Sequence, residues 1–171
     1  MDAEARKEIV AGLEHAMRTE TDGHHFYQMA SRATSDPKGQ EVFQRLAGEE
    51  LDHLRFLQHQ RQSLIERGEI DPQAELGTPA DLSGPNPIFS DRLKGRIGDA
   101  HYEMSALSIG IQLEINSERY YREQAEKAGD ENIRRFYDHL ARWEAGHYDA
   151  LLRQHDSLKQ DYWAAGGFAP F

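Results

Sequence analysis

Only two places in this 171-residue sequence carry a glutamate three residues before a histidine: Glu50-Leu51-Asp52-His53 and Glu144-Ala145-Gly146-His147. Three residues is close to one helical turn, so on a helix both side chains of each pair leave the same face and reach one centre. A carboxylate and an imidazole brought to one point are ligands for a metal ion. The sequence contains no cysteine, which excludes disulfides, thiolate zinc sites, iron–sulfur clusters and cysteine nucleophiles. Any metal must be held by His, Asp and Glu.

Each pair has a further glutamate thirty residues upstream, Glu20 and Glu114. Both interrupt otherwise apolar helical stripes. An ionised carboxylate alone in such a stripe is costly, so it must be protonated, paired or bound to a cation. The spacing is part of a longer repeat. Adding 94 to a residue number carries Glu20 to Glu114, Tyr27 to Tyr121, Glu50 to Glu144 and His53 to His147. Leu13, Leu46, Ala47 and Leu57 land in the same way on Leu107, Leu140, Ala141 and Leu151. Two equivalent halves imply a pseudo-two-fold axis with a two-metal site on it. The expected ligands are Glu20, Glu50, His53, Glu114, Glu144 and His147, four carboxylates and two imidazoles in one volume. Hard oxygens with imidazole suit iron first, with manganese or zinc able to occupy the site, whereas calcium wants more oxygens. The rival reading of the six residues is a buried salt-bridge network.

Tyr27 and Tyr121 lie seven residues beyond Glu20 and Glu114 on the same face. They are donors to a ligating carboxylate, one-electron donors, or simply core. His24 and Glu118 also correspond under the repeat and sit one turn past the same glutamates. Either is a possible additional ligand; the competing view is a supporting contact between them just outside the ligands. The remaining histidines have no matching partners.

The elements that must position these residues are four helices. Apolar periodicity predicts them at about 3–33, 37–68, 91 or 99–128, and 131–158. Asp36 and Pro37 mark the start of the second, Gly68 its end, and Gly129-Asp130 the turn into the fourth. Residues 69–90 hold Pro72, Pro79, Pro85 and Pro87 with Gly77 and Gly84, which makes them a crossover along the bundle. The aromatic, glycine-rich tail, 159–171, is expected to fold back onto the bundle or a partner subunit. Two helical hairpins with short loops, joined by one long crossover, are an all-α ferritin-like four-helix bundle, here a single domain over 1–171.

A formal charge of −10 argues against nucleic acid or an anionic membrane as partner and suits cations, basic proteins or solubility alone. No apolar run approaches the length of a membrane span and the first residues are charged, so a cytoplasmic location is expected.

Four segments together resemble the rubrerythrin branch of the ferritin-like superfamily: Glu20-Thr-Asp-Gly-His-His-Phe-Tyr27, Glu49-Glu-Leu-Asp-His53, Glu114-Ile-Asn-Ser-Glu-Arg-Tyr-Tyr121 and Trp143-Glu-Ala-Gly-His147. The resemblance covers roughly residues 5–155. It implies a di-iron centre on the six ligands named above and an oxidoreductase that reduces hydrogen peroxide or dioxygen to water, as a homodimer or larger assembly. In that chemistry Glu50 and Glu144 bridge the ions, and Glu20 and Glu114 are terminal and free to shift. Two departures stand out. Rubrerythrins proper carry a four-cysteine rubredoxin-like domain, so here the electrons are expected from an external donor protein. They also carry an additional glutamate three residues after the third-helix ligand, where this sequence has Ser117 beside Glu118. If Glu118 does not take the place of that glutamate, the second departure favours Fe(II) oxidation or oxygen reduction over peroxide reduction; the missing electron-transfer domain motivates the alternative function, non-catalytic iron binding or storage.

Overall fold

The computed structural model describes residues 3–84, 86–95, 98 and 100–166, and among these the regular structure is entirely helical. Helix α1 spans Ala3–Ala33, α2 Pro37–Arg67, α3 Asp91–Lys94, α4 His101–Lys127 and α5 Glu131–Gly166. Helix α1 packs along α2 and α4 along α5, and contact between α1 and α4 joins the two hairpins. This is the expected all-α ferritin-like bundle. None of these helices is long and apolar enough to cross a membrane.

The helix ends follow from local chemistry. Asp36 caps α2 by accepting from the Gly39 N–H at 2.9 Å, and Pro37 occupies the first turn, where its missing N–H costs nothing. Asp130 repeats the device for α5, accepting from the Asn132 and Ile133 N–H groups at 2.8 and 3.2 Å. Helix α2 stops because Gly68 adopts φ 79°, a left-handed conformation that a side chain would resist.

Two boundaries differ from the sequence reading. The helix expected from residue 91 is broken: α3 is a four-residue turn ended by Gly95, and α4 begins only at His101. The alternative start, Asp99, lies outside the described residues. Helix α5 does not end near Leu158 but runs on to Gly166, so the first part of the tail is helical rather than folded back. Residues 167–171 lie outside the described residues.

The core is divided. One apolar cluster contains Leu13, Leu57, Tyr121, Tyr137 and Leu140; the other contains Tyr27, Phe43, Leu46, Leu107 and Leu151. Along every long helix the chemically active residues fall between the two. The crossover is tied down at both ends by buried glutamines that correspond under the repeat. Gln60 grips the backbone of Asp71 through both N–H and carbonyl, at 2.7 and 2.9 Å. Gln154 accepts from the Ile88 and Phe89 N–H groups at 3.0 and 2.8 Å. Gly39 leaves room for the Phe89 ring, which a Cβ there would meet at 2.5 Å.

Candidate metal centre

Helices α1, α2, α4 and α5 each turn one glutamate into the layer between the two apolar clusters, and α2 and α5 add one histidine each. All six residues are at most 4% exposed. Their donor atoms form two groups, Glu20, Glu50, His53 and Glu144, and Glu50, Glu114, Glu144 and His147; within each group they lie within 4.8 Å of one another. Glu50 and Glu144 belong to both groups. A carboxylate has two oxygens, so each is placed to serve two centres at once.

Both imidazoles aim Nδ1 into the layer. His53 Nδ1 lies 3.0 Å from Glu144, 3.3 Å from Glu20 and 3.6 Å from Glu50. His147 Nδ1 lies 3.5 Å from Glu50 and 3.6 Å from both Glu114 and Glu144. The rings stack nearly parallel, 6.0 Å apart. The tyrosines cross over: the Tyr27 hydroxyl donates to Glu114, and the Tyr121 hydroxyl donates to Glu20. Helices α1 and α4 are therefore antiparallel here, and two turns beyond one glutamate is level with the other.

His24 and Glu118 stay outside both groups. His24 Nδ1 is 2.6 Å from the Ala47 carbonyl, the geometry of a donated N–H, and Glu118 pairs with Arg122 at 2.7 Å. The buried positions of that turn belong to Gly23 and Ser117, three residues beyond the glutamates rather than four. At Gly23 a Cβ would already touch the Glu50 carboxylate at 3.4 Å.

Among known protein families, residues 12–155 match Rubrerythrin. The chain belongs to the rubrerythrin family. No curated protein and no solved structure matches it.

A rubrerythrin-family site is built to hold cations, and this one has the marks of it. Both Glu144 carboxylate oxygens and His147 Nδ1 are buried without a well-aligned hydrogen bond. Four carboxylates balance two divalent ions if the imidazoles are neutral, and two ions would engage the orphaned atoms. The residues present fit a di-iron type of site.

Without metal, protons must do part of that work. Burial, and then the charges of Glu144 and Glu50, push the Glu20 carboxyl well above the usual range. Burial and the Glu50 charge do the same to Glu114. Burial also works against the ionised Glu50 and Glu144, yet both end up below the usual range: hydrogen bonds from Glu20, His147 and His53 outweigh it at Glu50, and at Glu144 the nearby His53 and His147 outweigh both burial and the Glu50 charge. Burial disfavours charge on His53 and His147, but Glu144 beside the first and Glu114 beside the second dominate and raise both. Burial and the neighbouring carboxylates push the Tyr27 and Tyr121 phenols far up, so both remain donors.

One member of the site carries no role in the sequence reading. Glu49, next to Glu50, accepts from His147 Nε2 and Trp143 Nε1, both at 2.9 Å, and from the Ala80 N–H of the crossover at 2.8 Å. Burial works against its charge, but the His147 bond and the other two donors hold the carboxyl below the ordinary value. The available signal was a break in the repeat, since Glu49 corresponds to Trp143 directly before the matching Glu50 and Glu144.

Proposed function

We propose that this chain is a di-iron oxidoreductase of rubrerythrin type, which reduces hydrogen peroxide or dioxygen with electrons from a separate donor protein and works as a homodimer or larger assembly. The observation that carries the reading is the sharing of Glu50 and Glu144 between two buried donor groups. Bound as two Fe(II) ions, the metal pair would supply the two electrons that reduce peroxide to water, or two of the four that dioxygen needs, with the donor protein supplying the rest.

The chain's own residues divide the remaining tasks. Glu50 and Glu144 would serve both ions, and His53 and His147 would each offer one Nδ1. Glu20 and Glu114 would each serve one ion, steadied from the opposite hairpin by Tyr121 or Tyr27. Because those phenols keep their protons, they are placed to pass a proton and an electron together toward the layer. The burial of all six ligands admits only an oxidant as small as peroxide or dioxygen without opening the bundle. Oxygen and imidazole donors favour iron, with manganese and zinc as competitors for the same atoms.

The test is anaerobic loading with Fe(II), a measurement of iron per chain and assembly mass, and stopped-flow mixing with hydrogen peroxide and with dioxygen. Two irons per chain and oxidation faster than that of free Fe(II) are expected. Oxidation no faster than free Fe(II) would overturn the enzymatic reading, and tens of irons per chain in a large shell would replace it with storage.

A further inference from the structure

We propose that the two metal positions are inequivalent, and that Glu49 makes them so by fixing His147 as a ready Nδ1 ligand while His53 has no such support. The inference rests on the two-metal reading above and adds to it a positioning residue and an order of binding.

The two halves supply the same ligands, but the residue before the α2 ligand is Glu49 and the one before the α5 ligand is Trp143. These two side chains meet, the Trp143 indole N–H donating to Glu49. Glu49 also receives His147 Nε2 at 2.9 Å. An imidazole that donates from Nε2 keeps its lone pair on Nδ1, the atom that faces Glu50, Glu114 and Glu144. Glu49 is itself held by the Ala80 N–H, so the ring is anchored through a carboxylate that is anchored in turn.

His53 faces the opposite circumstances. Its Nε2 is buried and has no hydrogen-bond partner among the described residues. The group standing against the ring is Trp143, edge to face at 5.1 Å, and its indole N–H is already committed to Glu49. One exchange of residue type thus gives one histidine a partner and denies it to the other. Loss of such an outer partner typically lowers metal affinity about 10–100-fold. The ion on the His147 side is therefore bound first, and the two steps differ by about that factor.

Co(II), which tolerates air, serves as the probe. Titration calorimetry gives the two affinities, and paramagnetically shifted proton spectra report the ligand imidazole N–H groups. In the unaltered protein, the first equivalent is expected to bring up one slowly exchanging N–H, and the second equivalent a faster one. Glu49→Ala is expected to weaken the tighter step about 10–100-fold and to speed exchange of the first N–H. Glu49→Gln, whose amide oxygen can still accept from Nε2, should restore most of both. Equal exchange of the two N–H groups in the unaltered protein would overturn the inference, whatever the variants do. So would a folded Glu49→Ala protein with unchanged affinities. Failure to bind a second ion at all would instead remove the two-metal reading beneath it.

Discussion

Tyr27 and Tyr121 each donate to the glutamate of the opposite hairpin, so every terminal carboxylate of the layer is steadied by the half of the molecule that does not supply it. A phenol bond to a buried carboxyl group is worth about 1–3 kcal/mol, because its removal leaves an acceptor that water cannot reach. Tyr27→Phe and Tyr121→Phe are each expected to destabilise the metal-free protein by about that amount, read from the urea midpoint at constant slope. The pseudo-two-fold relation requires the two effects to be similar; a neutral or strongly unequal pair would count against it. The six clustered residues were legible in the sequence because a repeat doubles the evidence for each position. His24 and Glu118 are less legible, because the inward face at this turn continues by three residues, through Gly23 and Ser117, rather than by four. Glu49 carried no role because hydrogen bonds between helices leave no periodic trace in one sequence.

At the scale of elements, the long crossover is tied near each end by a buried glutamine. Ile88 and Phe89 are fully buried, and their N–H groups both end on Gln154. Gln154→Leu, of similar volume, strands two buried donors and is expected to cost about 2–5 kcal/mol, with faster hydrogen exchange at both amides. Gln60→Leu should cost less, because the Asp71 backbone it releases is partly exposed and water can replace the bonds. The reverse order would mean that the ends of the crossover are held by apolar packing instead. The four long helices were legible because each buries a stripe that repeats every three or four residues. The last two turns of α5 were not: beyond Leu158 no side chain is buried among the described ones, although Lys159 lies over the Trp163 ring at 4.7 Å. Periodicity reports burial, and a helix that buries nothing escapes it.

For the whole molecule, the bundle must fold around a layer of four carboxylates, and which cations neutralise that layer sets how stability depends on pH. In the metal-free protein, His53 and His147 are raised above the ordinary 6.5, chiefly by Glu144 and Glu114 against the opposing effect of burial. A group whose folded pKa is raised contributes stability that is fully present below its unfolded value and lost as pH climbs through the folded value. Glu20 and Glu114, also raised, act in the same direction, since ionising them costs more in the fold than in the open chain. The contributions of Glu50 and Glu144, held low, disappear only in acid and do not offset this. The melting temperature of the metal-free protein is therefore expected to fall steadily as pH rises above 6.5. Divalent ions reverse the sign, because they take the places of these protons and bind more tightly as the protons leave. Differential scanning calorimetry with and without two equivalents of Co(II) should show a gap that widens with pH. A metal-free melting temperature that rises over the same range would mean that the layer is not held together by protons on His53 and His147, and that its carboxylates are neutralised in some other way before any metal arrives.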